Sequence, residues 1–200
     1  MNPLYSYLKS TIGFASKEIE LAFADVDRAD FVPQQHQQEA YVDYPLPIGY
    51  GVTISQPTTV AFMINQLDPK LGDKVLDVGA GSGWTTALLA YIVGRNGEVT
   101  GTEIIKQLVA FGNQNIKKYR FKNAKIILAD KQLGLSQEAP FDRILVSAAA
   151  EKLPGELLEQ LAIGGKMVIP IQTSIWKIDR VSQDQYNQQE FPGFMFVPLR

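Results

Sequence analysis

The residues best suited to chemistry lie in a glycine-rich run at positions 77–83, which reads D-V-G-A-G-S-G. An apolar stretch that predicts a strand precedes this run, and a stretch with helical spacing follows it. In open α/β sheets, ligands bind at the carboxyl ends of strands beside such turns. Gly79, Gly81 and Gly83 would let the backbone approach a ligand closely and adopt positive φ. The run therefore predicts a cofactor site.

A carboxylate at the end of the next predicted strand indicates what kind of cofactor binds. Glu103 lies 26 positions after Asp77, where an acidic residue can accept hydrogen bonds from both hydroxyls of a ribose. Trp84 stands where the dinucleotide fingerprint G-x-G-x-x-G requires a small residue, and this disfavours NAD. The Walker pattern is absent from the sequence. Asp77 would repel a pyrophosphate but could meet, directly or through water, the ammonium group of a methionine moiety.

The form D-x-G-x-G-x-G is similar to motif I of the class I methyltransferases. This resemblance implies that the cofactor is S-adenosylmethionine. It also implies that Asp130, which ends the third predicted strand, contacts the adenine amino group, with Lys131 beside it at the cofactor. The alternative for Asp130 is an ordinary turn residue at a strand end.

Alternating strands and helices position these residues. Strands are predicted at residues 75–78, 98–103, 124–129, 143–147 and 166–171, and helices at 58–67, 85–93 and 105–119. The alternation predicts an α/β, Rossmann-like, doubly wound and mostly parallel sheet with helices on both faces. An N-terminal helical extension with Ser16 as its cap precedes this core.

Two features are expected towards the end of the chain. Pro154 is predicted to open a helix that Gly164 and Gly165 close, since proline suits the first helical position and glycine the end. Residues 194–197 are predicted to form a closing strand. The whole chain is expected to be one domain, with residues 1–57 as helical lead and active-site segment and residues 58–200 as cofactor-binding core.

An irregular segment rich in proline, glycine and aromatic residues spans positions 41–57. Long irregular segments inside compact domains are often functional. Ser55, near its end, has two interpretations that spacing alone does not separate. Its hydroxyl could hold a ligand, or it could cap the helix expected from residue 58.

Several stretches resemble the protein-L-isoaspartate O-methyltransferase family, and the likeness covers roughly residues 16–200. They are residues 27–33 (DRADFVP), 40–43 (AYVD), 46–57 (LPIGYGVTISQP), 139–142, 147–150, 160–165 and 196–199. Generic methyltransferases share the glycine turn but lack the segment at residues 46–57. The resemblance therefore implies transfer of a methyl group from S-adenosylmethionine to the carboxylate of L-isoaspartyl or D-aspartyl residues in damaged proteins.

The same resemblance implies roles for individual residues. Ser55 corresponds to the family's active-site serine, and Thr53 and Ile54 would line the cofactor and methyl-transfer pocket beside it. Val60 falls at another position of cofactor contact, where a core role is the alternative. A carboxylate acceptor is already ionised at pH 7 and needs no general base, so the protein's task is to position and desolvate it. That chemistry suits a chain with one histidine, His36, and no cysteine.

The composition limits the classes of partner and binding site that the protein can have. The formal net charge of −2 gives no electrostatic support to a nucleic-acid partner. Without cysteine, and with His36 as the one histidine, disulfides and multi-histidine metal sites are excluded. The sequence contains neither an apolar run of the roughly 20 residues that a membrane helix needs nor a signal-peptide pattern. We therefore expect a cytoplasmic protein, most simply a monomer, with no membrane or metal partner.

Two departures from the family pattern keep other functions open. Val52 stands where the family usually carries glutamine, and the sequence Ala129-Asp130-Lys131 stands where it usually carries Gly-Asp-Gly. Both departures bear on cofactor affinity and substrate range. The alternatives are a cofactor-binding module that recognises damaged protein without turnover, and a methyltransferase of the same fold that acts on another carboxylate.

Overall fold

The computed structural model describes residues 3–130 and 132–199. The helices are α1 (Pro3–Thr11), α2 (Lys17–Asp25), α3 (Pro57–Leu67), α4 (Trp84–Val93), α5 (Lys106–Lys117) and α6 (Gly155–Gln160), with short 3-10 helices at Arg28–Phe31, Gln34–Glu39 and Ser136–Glu138. The strands are β1 (Leu46–Gly49), β2 (Val52–Ile54), β3 (Lys74–Val78), β4 (Glu98–Glu103), β5 (Ala124–Leu128), β6 (Phe141–Val146), β7 (Leu161–Ile171), β8 (Ser174–Arg180) and β9 (Tyr186–Pro192).

Strands β3 to β9 form one sheet in the order β5-β4-β3-β6-β7-β8-β9. The first five strands in this order run parallel, and β8 and β9 are added antiparallel. Parallel neighbours need crossover connections, which α4 supplies between β3 and β4 and α5 between β4 and β5. The strand order reverses beside β3, and in open sheets of this kind ligands bind at such a reversal. The predicted α/β fold is confirmed.

Alternate residues of the central strands pack on opposite faces of the sheet. One face meets α3 and α4 in a cluster that includes Met63, Leu67, Val75, Leu89, Val99, Leu145 and Val168. The other face meets α6 and the loop between β5 and β6 in a cluster that includes Leu76, Leu135, Ile144, Val146, Leu157 and Met167. Because both faces are covered, the central strands β3, β4 and β6 are buried almost throughout, as parallel strands usually are.

The N-terminal helices pack on the outside of α3 and α4. Ser16 caps α2 as predicted, since its side chain accepts a hydrogen bond from Ile19 N at 3.2 Å. Phe23 of α2 meets Trp84 of α4 edge to face, with 5.9 Å between the ring centroids. Each helix within the described residues is too short or too polar to cross a membrane.

The predicted role of Gly164 and Gly165 as a helix end is wrong. Helix α6 stops at Gln160, and both glycines lie inside β7. The pairing of β7 with β6 shifts between Leu161 and Lys166, so the intervening residues bulge out of register. A Cβ on Gly165 would lie 2.9 Å from the Asp142 carbonyl oxygen. The glycine therefore serves a close approach of two strands.

The predicted closing strand at residues 194–197 is also wrong, because the last strand is β9. Gly193 adopts φ +96° directly after it and turns the chain. Phe194 N then donates to the Thr173 carbonyl at 3.0 Å, and the Val197 carbonyl accepts from Ala149 N at 2.8 Å. These contacts lead the segment past the carboxyl end of β6, where it does not extend the sheet.

The fold predicts different costs for alanine at two glycines that share φ +89°. A Cβ on Gly83, which precedes α4, would lie 3.1 Å from the Gly112 carbonyl oxygen of α5, whereas a Cβ on Gly72 would meet nothing within 4 Å. Both substitutions carry the backbone strain of about 1–2 kcal/mol, but only Gly83→Ala also crowds a neighbouring helix. We expect Gly83→Ala to lower the free energy of unfolding by roughly 1 kcal/mol more than Gly72→Ala. Urea denaturation of both variants measures the difference, and equal losses would contradict it.

Candidate functional site

A cavity of about 400 Å³ opens at the carboxyl ends of the parallel strands, beside the reversal in strand order. Its size is within the range of small-molecule sites. Strand ends, loops and the first turn of α6 line it. The lining residues include Thr53, Gly79, Gly81, Glu103, Ile105, Asp130, Gln132, Leu133, Gly134, Ser147, Glu156 and Pro198. The charged side chains on this wall are acidic within the described residues. The cavity therefore suits a ligand that carries positive charge.

The glycine-rich turn forms the floor of this cavity. Gly79, Gly81 and Gly83 all have positive φ, a backbone conformation that residues other than glycine rarely adopt. Gly79 N and Ala80 N both donate to the Thr102 carbonyl, at 2.9 and 3.1 Å, so β4 holds the turn in place. A Cβ on Gly81 would lie 3.2 Å from Ile48 Cδ1 of β1. The turn is thus confined between the sheet and the β1–β2 hairpin.

Glu103 lies at the end of β4 with its carboxylate held by the backbone. Its Oε2 accepts a hydrogen bond from Gly81 N at 2.9 Å, and its Oε1 accepts one from Ile105 N at 2.9 Å. The side chain is 7% exposed and lines the cavity. A carboxylate has about four acceptor positions, so each oxygen keeps capacity for a ligand hydroxyl.

Asp77 is fully buried beneath the glycine turn and does not line this cavity. Its Oδ2 accepts hydrogen bonds from Thr85 Oγ1 at 2.7 Å and from Thr86 Oγ1 at 2.6 Å. Its Oδ1 has no hydrogen-bond partner among the described residues. Burial raises the pKa of Asp77 to about 6, although the hydrogen bonds from its two hydroxyl donors lower it. A nearby cation would favour the ionised form of such a carboxyl group.

Ser55 lines a second, smaller cavity of about 30 Å³ beside the larger one. Both cavities have Thr53, Gly79, Gly81 and Ser147 in their walls, so they are adjacent. The remaining wall of the smaller cavity includes Ile54, Ser55, Val60, Ser82, Trp84 and Thr85. A space of this size has room for about one small group.

The alternative that Ser55 caps α3 is wrong. Gln56 occupies the cap position and makes no side-chain capping bond. Asp43 supplies the cap instead, since its Oδ1 accepts from Thr58 N at 2.8 Å and its Oδ2 from Thr58 Oγ1 at 2.6 Å. No described residue hydrogen-bonds the Ser55 hydroxyl. That hydroxyl is therefore available to a ligand in the smaller cavity.

Arg28 holds the segment that carries Ser55. Its guanidinium is fully buried and donates to the carbonyl oxygens of Ala40, Val42, Tyr44 and Ser55, at 2.9, 3.1, 2.9 and 3.1 Å. The same group lies 5.6 Å from the centre of the Trp84 ring. Burial lowers the pKa of Arg28 to about 10, so it stays charged at neutral pH. One side chain therefore fixes the irregular segment against the start of α4.

Sequence reasoning missed Arg28 as a residue with a structural role of its own. The available signal was indirect: an irregular segment must find donors for its buried carbonyls. Ser147, Gln132, Gly134 and Glu156 were also missed as cavity residues. Ser147 follows β6 next to β3, and the strand-reversal rule identifies that position once the strand order is known. Gln132 and Gly134 lie in an irregular loop for which the sequence shows no pattern.

The structure places the predicted site residues in three groups. Thr53, Gly79, Gly81, Glu103 and Asp130 line the larger cavity, and Ile54, Ser55 and Val60 line the smaller one. Asp77 and Gly83 line neither, since Asp77 lies beneath the turn and Gly83 packs against α5. Lys131 lies outside the described residues. In the part of the chain that is described, no three His, Asp or Glu side chains are arranged to hold a metal ion.

Comparisons with known proteins agree on one family. The family model for protein-L-isoaspartate(D-aspartate) O-methyltransferase matches residues 1–200. The chain is 42% identical to a protein-L-isoaspartate O-methyltransferase of Methanopyrus kandleri, over 98% of this chain and 89% of that protein. It is also 42% identical to protein-L-isoaspartate O-methyltransferase 2 of Archaeoglobus fulgidus, over 92% and 86% of the two chains.

A solved structure extends this similarity to the fold and to a bound ligand. A crystal structure from Plasmodium falciparum, described as a protein-L-isoaspartate O-methyltransferase in complex with S-adenosyl-L-homocysteine, superposes with a TM-score of 0.87. The two chains are 30% identical, and the match covers 98% of this chain and 96% of that one.

The Arg28 contacts predict that lysine is a poor replacement. A lysine ammonium cannot reach four carbonyl groups in the planar arrangement of a guanidinium, and each buried carbonyl left without a donor costs about 1–3 kcal/mol. We expect Arg28→Lys to lower the free energy of unfolding by about 2–4 kcal/mol. Displacement of Ser55 should also lower the turnover of the folded protein roughly 10–100-fold.

Arg180→Lys is the matched control. Arg180 also donates to backbone carbonyls, among them those of Leu158 and Gln183 at 3.3 and 3.2 Å, but it lies on β8 away from Ser55. Denaturation and assays well below the melting temperature compare the two variants. Equal losses of turnover in the folded proteins would remove the link between Arg28 and the site.

The buried Asp77 predicts a pH dependence of stability. Its folded pKa of about 6 is above the ordinary value of 3.8, so between these pH values the unfolded chain ionises first and the folded state loses stability. The penalty is absent below about pH 4 and complete above about pH 6. Relative to Asp77→Asn, wild type should lose roughly 2–3 kcal/mol across that window.

Denaturation at closely spaced pH values tests this dependence. Asp184→Asn, a change at an exposed site, controls for the loss of one carboxyl group. A wild-type curve that runs parallel to the Asp77→Asn curve would show that Asp77 ionises normally in the fold.

Proposed function

The chain belongs to the protein-L-isoaspartate(D-aspartate) O-methyltransferase family, and we propose that it repairs damaged proteins by methylating the carboxylate of their L-isoaspartyl or D-aspartyl residues. The methyl donor is S-adenosylmethionine. The observation that carries the proposal is the uncommitted Ser55 hydroxyl in a small cavity that adjoins a larger, acidic one. The methyl ester then collapses to a succinimide without the enzyme, and this ring reopens partly as normal aspartate.

The large cavity fits the cofactor in size, charge and backbone geometry. S-adenosylmethionine carries an electrophilic methyl group on a positively charged sulfur, and it also carries an ammonium group. Among the described residues, the charged side chains that line the cavity are acidic. The glycines at the floor place no side chain between the backbone and a ligand. A Cβ on Gly81 would also crowd Ile48, which lies beside the turn. The buried Asp77, with its unpaired Oδ1, would be ionised more readily beside the ammonium group.

We assign the parts of the cofactor from this arrangement and from the family resemblance. Glu103 accepts hydrogen bonds from the ribose hydroxyls, and Asp130 accepts one from the adenine amino group. Gly79 and Gly81 give the backbone close access, and Asp77, which is buried beneath the turn and lines neither cavity, would attract the ammonium group through its charge. Gly83 acts indirectly, because it lets α4 pack against α5. Lys131 remains a candidate contact on the resemblance alone.

The protein's part in the reaction is to hold the acceptor carboxylate. Ser55 donates a hydrogen bond to one carboxylate oxygen, so that the other oxygen points at the methyl group. Thr53 and Ile54 line the space on the same side. Because the carboxylate is ionised at neutral pH, no base is needed. The narrow cavity also leaves little room for water, which strengthens the hydrogen bond from Ser55.

The same proposal includes the partners of the protein and the division of its chain into two parts. The substrates are damaged proteins and peptides, met by a cytoplasmic monomer that uses neither nucleic acid nor membrane. Residues 1–57 supply the active-site segment and residues 58–200 the cofactor-binding core.

The function is tested with two peptides that differ only in one linkage. An isoaspartyl peptide should accept radiolabelled methyl groups at least about tenfold faster than its normal-aspartyl twin, since the site must place the carboxylate in line. Binding of the cofactor without turnover would favour a recognition module. Equal rates with both peptides would indicate another carboxylate acceptor.

The role of Ser55 is tested by Ser55→Ala. A hydrogen bond to a charged group contributes about 1.5–3 kcal/mol, so turnover should fall roughly 10–100-fold. Because Ser55 caps no helix, the free energy of unfolding and the cofactor affinity should stay close to wild type. Single-turnover rates, calorimetry and thermal melts measure the three quantities, with Ser10→Ala as the exposed control. Full activity in Ser55→Ala would remove the assigned role.

A further inference from the structure

Gln160 connects α6 to one wall of the cofactor cavity. It is the last residue of α6 and is 3% exposed. Its Oε1 accepts a hydrogen bond from Leu135 N at 2.6 Å. Its Nε2 donates to the carbonyls of Leu133 at 2.9 Å and Glu156 at 3.0 Å. One carboxamide therefore satisfies a donor and an acceptor of the same loop.

The loop held in this way is part of the cavity. Gln132, Leu133 and Gly134 line it, as does Glu156 on the first turn of α6. Gly134 has φ +86°, and a Cβ there would overlap the Gln160 carboxamide. Glycine at this position therefore lets the loop backbone pass directly over the Gln160 side chain.

Gln160 itself is not among the residues that line the cavity. Its effect on a ligand would be transmitted through the loop. The loop belongs to no strand or α-helix, so side-chain contacts take the place of ladder bonds in holding it. Leu135 anchors the far end of the loop in the core, with 5% exposure.

We propose that Gln160 is a positioning residue that keeps the loop at residues 132–134 in the shape that binds the cofactor. This inference rests on the proposed function, because it takes the large cavity as the site of S-adenosylmethionine. Gln160 touches neither the acceptor carboxylate nor Ser55. Its loss should therefore weaken cofactor binding and leave the methyl-transfer step itself nearly unchanged.

Two substitutions separate the hydrogen bonds of Gln160 from its volume. Gln160→Glu keeps an acceptor for Leu135 N but places an oxygen against the Leu133 and Glu156 carbonyls. Gln160→Met keeps the approximate size and loses both bonds. We expect each variant to raise the KM for S-adenosylmethionine about tenfold, while kcat at saturating cofactor stays within about twofold of wild type.

Asn123→Asp is the matched control. The Asn123 carboxamide also bridges backbone carbonyls, because its Nδ2 donates to Ala90 at 3.1 Å and Gly94 at 2.9 Å. These contacts lie at the C-terminal end of α4, and none of the three residues lines the cavity. Asn123→Asp should lower stability without changing the KM for the cofactor, so it reveals any effect of destabilisation alone.

The measurements are initial rates with an isoaspartyl peptide, calorimetry with S-adenosyl-L-homocysteine and hydrogen exchange at the Leu135 amide. Wild type is assayed first, and its failure to methylate would refute the proposed function before any variant is compared. Given an active wild type, weaker binding together with faster exchange at Leu135 supports the positioning role. Unchanged affinity, or a loss confined to kcat, overturns it. Should the glutamate variant not fold, the methionine variant decides on the same criteria.

Discussion

The arrangement of the site depends on one buried cation, the guanidinium of Arg28. A charge without water is costly unless its hydrogen-bonding groups are satisfied. Here four of its donor bonds go to carbonyl oxygens of an irregular segment that has few ladder partners of its own. Each of these four carbonyl oxygens gains a charged donor from Nη1 or Nη2, whereas the buried Nε has no hydrogen-bond partner among the described residues. Ser55 is placed because its own carbonyl is one of the four acceptors.

The same cation also connects the two halves of the site. Its guanidinium lies over Trp84, the first residue of α4, which directly follows the glycine turn. The segment that offers a hydroxyl to the acceptor is thereby held against the turn that approaches the cofactor. Methyl transfer requires the two reactants to be aligned within a fraction of an ångström. A rigid contact between the two segments is a physical means to that end.

Capping by a distant residue leaves Ser55 uncommitted. Asp43 binds the first turn of α3 through Thr58 and also accepts from Gln56 and Tyr7, at 3.1 and 3.2 Å. A serine at the usual cap position would have used its oxygen for the helix. Because the Asp43 carboxylate caps the helix, the Ser55 hydroxyl has no hydrogen-bond partner among the described residues and lines the smaller cavity.

The sequence by itself determined what depends on neighbouring residues. Apolar periodicity predicted the strands and helices of the core, glycine predicted the positive-φ turn, and Ser16 predicted the cap of α2, all through interactions that span a few residues. Glu103 was found because its role depends on a strand end that periodicity reveals. Tertiary structure alone decided which partner a polar group meets when that partner is distant in the sequence. Arg28 reaches Ser55 across 27 positions and Gln160 reaches Leu133 across 27, and no local pattern encodes such pairs. The role of Gly165 and the path of residues 194–197 were mispredicted for the same reason, since both depend on distant segments that lie alongside only after the chain has folded.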